Sequence, residues 1–219
     1  MSGLVVLWED EDLIFVDKPA GLLSQQAHDP DETHLHAIVC EYLKPSGQTA
    51  FLLQRLDRGT TGVMFFPKQK DLNARLNRAF EARRISKSYL ALVEGRLSIA
   101  QTIDAPIARI GPISFGVRPH GKRAVTSVLP KQSAAGASVI QLELHTGRTH
   151  QIRVHLAAIG HPLVGDWLYG HRDDRIRPML HAHRLRMRHP RTDETLDITS
   201  PIPEDFLNEA EARGLSDDW

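Results

Sequence analysis

Asp57 stands at the centre of Gln54-Arg55-Leu56-Asp57-Arg58-Gly59-Thr60-Thr61-Gly62, a polar segment between the apolar runs 51–53 and 63–66. Two apolar runs bounded by such a segment read as strand, loop, strand. Loops held by a rigid scaffold are where catalytic groups concentrate. One carboxylate has a guanidinium near it on each side. Two threonines and Gly62 follow, residues that make local hydrogen bonds and tight backbone turns. An unperturbed Asp, with a pKa of about 3.9, is ionised at neutral pH and ready as a nucleophile or electrostatic stabiliser. The competing reading of the loop alone is an Asp that caps a turn or pairs with Arg55.

Other residue types with chemical potential lie further along. Tyr89 sits in Lys-Ser-Tyr-Leu-Ala-Leu-Val at 87–93, where strand alternation sends it to one face. Arg153 falls in the first turns of a helix expected to be capped by Thr149. It is offset from the apolar stripe Ile152, Leu156 and Ile159, so it is the candidate partner for a charged nucleophile, and a bidentate Arg–carboxylate pair would orient Asp57. Arg148 is the second candidate for that role, and a contact to backbone phosphate is its other reading. Twelve histidines raise the question of a metal, but His150 and His155 do not have the i, i+4 spacing of a helical zinc site. His181 and His183 alternate on a strand without an obvious acidic third ligand. The single cysteine, Cys40, excludes an intrachain disulfide and reads as a small core side chain. There is no glycine-rich phosphate loop with a following Lys-Ser/Thr, which excludes the common nucleotide-hydrolase arrangement.

The elements that must hold these groups can be read from periodicity. Residues 4–8 and 13–17 flank an acidic turn and read as a hairpin. Leu35, Ile38, Val39 and Tyr42 repeat at helical spacing, with Pro45-Ser46-Gly47 as the stop. Leu72, Leu76 and Phe80 mark a second helix; 88–94, 138–145, 179–188 and 195–199 are strand-like, and 204–213 reads as a terminal helix. The stretch 111–121, with two prolines and three glycines, suits a long hairpin or insertion. Strands outnumber helices and do not alternate with them. This predicts an α+β fold on a mixed, largely antiparallel sheet with flanking helices. A single domain over 1–219 is expected.

A hydrophobic content of 41% and a charged content of 25% are ordinary for a globular protein. Lys and Arg number 27, as do Asp and Glu, so the chain lacks the basic excess of a dedicated nucleic-acid binder. The charge is locally uneven. One basic run covers Arg75, Arg78, Arg83, Arg84 and Lys87, and a second, from Arg172 to Arg191, holds seven arginines. Two runs flanking the candidate motifs point to phosphate contact. No signal sequence or membrane span is apparent, and a cytoplasmic, monomeric enzyme is the expectation.

The Asp57 segment closely resembles the Arg-Leu-Asp signature of the RluA-type pseudouridine synthases, in which His-Arg-Leu-Asp precedes Thr-Ser-Gly. Here Gln54 stands for the usual His and Thr61 for the usual Ser. Asp17-Lys18-Pro19-Ala20-Gly21-Leu22 is similar to the family's N-terminal motif, and the Tyr89 segment to its tyrosine motif. Thr146 to His155 with Gly160 to Asp166 resemble the third motif, and Leu180-His181-Ala182 with His189-Pro190 the C-terminal part.

The resemblance implies the family's catalytic domain with a central cleft, and isomerisation of an unpaired uridine in rRNA or tRNA. No cofactor and no metal is implied. It makes Asp57 the nucleophile, attacking C1′ or the base, Arg153 its ion-pair partner, and Tyr89 the ring that stacks on the target base. Leu180 would pack under that base, and Arg55, Arg58, Thr60, Arg148 and His150 would bind substrate. Two other classes compete: a metal-dependent hydrolase, which a chelator would inactivate, and an RNA-binding protein without catalysis, which would tolerate Asp57→Ala.

Overall fold

The run Leu13-Ile14-Phe15-Val16 is apolar at every position, whereas a half-buried strand would alternate. In the computed structural model, which describes residues 3–27, 29, 31–134, 136–171 and 175–217, all four are fully buried. The reason is a helix on each face. Leu13 and Phe15 pack with Leu72 and Leu76 of helix α2 (Leu72–Glu81), while Ile14 and Val16 pack with Leu35, Val39 and Leu43 of helix α1 (Leu35–Leu43). Strand β3 (Thr61–Pro67) is buried along its whole length for the same reason: Val63 and Phe65 face α2, and Met64 and Phe66 face α1. Phe15 and Phe65 stack across the strand pair with centroids 5.4 Å apart.

The chain forms two compact units. The first contains residues 1–87 and 182–201. Its strand order is β1 (Val5–Glu9), β2 (Leu13–Lys18), β3 and then β10 (Leu180–Arg188), with β11 (Thr195–Thr199) paired to β10. The β1–β2 hairpin, β2–β3 and β10–β11 are all antiparallel. The turn of the β1–β2 hairpin is held by Asp10, whose Oδ1 accepts the Asp12 and Leu13 N–H groups at 2.8 and 2.7 Å. Arg191 reaches the same turn, donating to Asp12 at 2.7 Å and to Asp71 at 3.0 Å.

The second unit contains 88–181 and 202–219. Its strands lie in the order β4 (Ser86–Glu94), β9 (Ala137–Leu144), β8 (Val125–Ser133) and β5 (Gln101–Asp104), antiparallel throughout. A separate two-stranded hairpin joins β6 (Ile107–Arg109) and β7 (Phe115–Val117). Leu90, Leu92, Val139, Val164 and Met179 form a core under Phe206 and Ala210 of helix α4 (Glu204–Glu211). Helix α3 (Gln151–Ala158) is buried at every position from Gln151 to Leu156.

The expected α+β class and antiparallel pairing are present, as is the expected hairpin at 4–17, while the 111–121 stretch supplies only the second strand and part of the turn of the β6–β7 hairpin. Three local readings change. The run 51–53 is irregular, not a strand, although the Phe51 N–H still bonds Pro67 O at 2.9 Å. Tyr42 is exposed and donates to Glu9 at 3.1 Å, because the buried stripe of α1 runs Leu35, Val39, Leu43. Thr149 is not the cap of α3: His150 is, with φ of +55°, so the helix starts one residue later than a Thr149 cap would place it.

Gly62 has φ of +112°, and a Cβ there would lie 2.2 Å from Ala182 O. Any side chain must therefore force β3 away from the backbone of β10. Gly62→Ala is expected to cost about 2 kcal/mol or more in urea unfolding, through clash and a left-handed backbone together. An unchanged midpoint would show that the two strands part freely.

Candidate active site

The Asp57 loop owes its shape to a buried lysine. Lys18 ends β2, is fully buried, and donates its ammonium hydrogens to Pro19 O at 2.9 Å, Arg58 O at 3.1 Å and Thr60 O at 2.8 Å. An ammonium has three N–H donors, and burial of one without partners costs several kcal/mol. Two of the three carbonyls belong to the Asp57 loop, so that desolvation is offset only while the loop keeps its turn. The turn itself closes with Thr60 N–H to Asp57 O at 3.0 Å.

Four further hydrogen bonds with the segment after β2 fix the loop. Gly21 N–H bonds Arg58 O at 2.9 Å, and Arg58 Nε returns a bond to Gly21 O at 3.0 Å. Gly21 has φ of +79°, a backbone that glycine adopts without strain. Ser24 Oγ donates to Leu56 O at 2.7 Å and accepts Leu56 N–H at 3.0 Å, which pins the residue before Asp57 from both sides. Leu56 also packs into the α1 core. Asp57 is left half-buried, on a backbone held at Leu56, Arg58 and Thr60.

The residues proposed around Asp57 divide by role. Thr60 is buried, and its backbone, not an exposed hydroxyl, carries the contacts with Lys18 and Asp57. Arg58 is exposed but engaged by Gly21 O and by an ion pair with Glu32. Arg55 is exposed. Gln54 is half-buried, and its Nε2 has no hydrogen-bond partner among the described residues.

The second unit holds the other candidates. Tyr89 is buried on β4 opposite Leu142 of β9. Leu180 is buried at the start of β10, beside Met179, whose carbonyl accepts Leu92 N–H of β4 at 3.0 Å. Arg148 donates from Nε to Arg123 O at 3.0 Å. The turn before α3 is pinned by Gln151, whose Oε1 accepts from Thr146 Oγ1 at 2.7 Å and Arg148 N–H at 3.1 Å, while its Nε2 donates to Val125 O at 3.0 Å.

Arg153 is buried, and makes a bidentate pair with Asp166: Nε to Oδ2 at 2.8 Å and Nη2 to Oδ1 at 2.7 Å. Asp166 has no exposed surface, so this is a charge pair formed out of water, with matched fork geometry on both sides. The sequence places Asp166 at the end of the third motif but assigns it no role. Its signal was the Gly165-Asp166 step at the end of the third motif.

The basic runs are less available than the sequence implied. Arg177 pairs with Asp205, Arg184 with Asp197 and Arg191 with Asp12 and Asp71. Lys87 lies over the Phe80 ring at 4.5 Å, and loss of water pulls its pKa down to about 8. Arg75, Arg78, Arg83 and Arg84 are exposed. Arg172 lies outside the described residues. Among the described residues no cluster of three or more His, Cys, Asp or Glu is placed to hold a metal ion, and no helix is long and apolar enough to cross a membrane.

A carboxylate on a clamped turn in one unit, and a buried tyrosine and arginine in the other, make this α+β scaffold a candidate enzyme, and its class is shown by comparison with known proteins. Residues 12–158 match the RNA pseudouridylate synthase family. The chain is 37% identical over 213 residues to the RNA pseudouridine synthase YhcT of Bacillus subtilis (strain 168), covering 94% of this chain and 70% of that one. It is 36% identical over 224 residues to ribosomal large subunit pseudouridine synthase D of Escherichia coli (strain K12), covering 93% and 68%. Its fold is similar to that of human RNA Pseudouridylate Synthase Domain Containing 4, with a TM-score of 0.81 at 22% identity, over 94% of this chain and 92% of that one. The chain belongs to the RNA pseudouridylate synthase family and is an RluA-type enzyme, an isomerase that acts on RNA.

Replacing Lys18 by Met keeps a stem of similar length but removes the donor. Thr60 O then loses a partner in a buried setting, at about 1–3 kcal/mol, and Pro19 O loses one in a partly exposed setting. Lys18→Met is expected to lower unfolding stability by about 3 kcal/mol in urea titration. A stability equal to wild type would mean that the lysine is a passenger of the loop and not its clamp.

Proposed function

We propose that this enzyme converts an unpaired uridine of ribosomal RNA to pseudouridine, with Asp57 as the nucleophile and no cofactor. The observation that carries the reading is the Lys18-clamped turn, which holds one carboxylate on a backbone tied down at both flanks. The reaction needs little else. The bond from C1′ to N1 opens, the freed ring turns over, a bond from C1′ to C5 closes, one proton leaves C5 and one is gained at N1. There is no change of oxidation level and no external group. Asp57 engages the nucleotide, at C1′ or on the ring, and keeps it in place through the turnover.

Arg153 is assigned as the ion-pair partner that orients Asp57, and Tyr89 as the ring on which the target base stacks, with Leu180 beneath it. Arg55, Arg58, Arg148 and His150 are assigned to the RNA backbone. A base inside a helix would have to leave its stack at a cost of a few kcal/mol, so an unpaired uridine is the natural target. Ribosomal RNA is favoured because the Escherichia coli relative is named for the ribosomal large subunit.

The test is tritium release from ribosomal and transfer RNA transcribed with 5-tritiated uridine. Wild type is expected to release tritium from a ribosomal fragment. Asp57→Asn should bind the same RNA within about threefold and release none, a rate loss of at least about 10⁴-fold for removal of a nucleophile. Release by Asp57→Asn would contradict the nucleophile assignment, and release from transfer RNA alone would contradict the substrate. Arg153→Ala should slow release by about 10²-fold or more, and a wild-type rate would remove Arg153 from the role.

A further inference from the structure

Tyr169 lies three residues past the end of the third motif as the sequence defined it, and none of the roles above uses it. Its surroundings are unusual for a loop residue. The face of its ring lies 5.1 Å from the Arg153 guanidinium carbon, within the range of a cation–π contact. Its hydroxyl accepts Phe115 N–H from β7 at 2.9 Å and is hydrogen-bonded to His150 Nδ1 at 2.8 Å. The Tyr169 and His150 rings meet edge to face at 5.6 Å, as do those of His150 and Phe115.

His150 is the cap of α3, with φ of +55°, a left-handed backbone that costs a non-glycine residue about 1–3 kcal/mol unless its surroundings hold it there. Tyr169 supplies such a hold through its hydroxyl. Its own position is set by the carboxylate that grips Arg153: Asp166 Oδ1 accepts the backbone N–H groups of Leu168 and Tyr169, both at 3.1 Å, and Arg153 Nη2 at 2.7 Å. One buried carboxylate therefore fixes both the arginine and the turn that brings the aromatic ring against it.

From this geometry we infer that Tyr169 is a positioning residue for the isomerisation: its ring sets the plane of the Arg153 guanidinium, and its hydroxyl locks the strained start of the helix that carries Arg153. The inference rests on the assignment of Arg153 as the partner of Asp57. A guanidinium held by a fork on one side and a ring face on the other has lost its rotamer freedom before substrate arrives. Orientation of this kind acts on rate, because a misplacement of about 1 Å at a catalytic group costs about 10²-fold. It reaches RNA affinity only through His150, one of several phosphate contacts, so the Kd changes by no more than a few fold.

The experiment is a double-mutant cycle on the full chain, read as single-turnover tritium release and as the Kd for the same RNA. Tyr169→Leu removes ring and hydroxyl. Its rate is expected to fall about 10- to 100-fold with Kd within about threefold. Arg153→Ala with Tyr169→Leu should be no slower than Arg153→Ala alone, because the tyrosine acts through the arginine. Tyr169→Phe, which keeps the ring and loses only the hydroxyl, should lose several-fold in rate and show the same non-additivity, and it serves if the leucine variant does not fold. Losses that multiply in the double variant would overturn the inference, as would a fall in affinity with the rate intact, or a wild-type rate in both tyrosine variants. A wild-type rate in Arg153→Ala alone would instead overturn the arginine's own assignment, and that single variant reports it separately.

Discussion

The buried ammonium of Lys18 is the constraint from which the shape of the Asp57 loop follows. A lysine with no exposed surface is rare unless its three hydrogens are satisfied. Here they are satisfied by carbonyls of a tight turn and of the segment that leads to it. The demand runs in both directions. The loop cannot open without stranding a charge in the interior, and the lysine cannot be there without the loop. Ser24, Gly21 and the packed side chain of Leu56 then remove the remaining freedom. A short polar segment is thereby tied down by hydrogen bonds at Leu56, Arg58 and Thr60.

The second unit reaches a comparable end by other means. Arg153 is buried in a helix whose whole first half is buried, so its charge needs a partner, and Asp166 provides it in bidentate form. Lys18 is thus held by a loop from a different motif, and Arg153 by the Gly165-Asp166 turn at the far end of its own motif.

Much of this was legible in the residues. Residues 13–17 read as one strand of a hairpin and the spacing of Leu72, Leu76 and Phe80 as an amphipathic helix, and the structure contains both. The loop around Asp57 could be read from its polar composition between apolar runs. What was not legible depends on tertiary partners. No local rule reveals that His150 will take a left-handed backbone, so Thr149 looked like the cap of α3. Tyr42 follows the helical period but lies one step off the buried line of Leu35, Val39 and Leu43. The arginines after residue 175 looked like a phosphate-binding run because their carboxylate partners, Asp197 and Asp205 among them, are displaced in sequence. That pairing also reconciles a neutral chain with an RNA substrate: a balanced charge count leaves open which cations are already matched.

The most direct measurement is the single-turnover isomerisation rate of Lys18→Met, taken below its melting temperature on protein that circular dichroism shows to be folded, beside the Kd for the same RNA. If the ammonium clamp is what presents Asp57, the rate falls by about 10²-fold or more while the Kd stays within a few fold of wild type. A folded Lys18→Met enzyme that turns over at the wild-type rate would contradict the account, because the carboxylate would then be positioned without the interaction on which the loop is argued to depend.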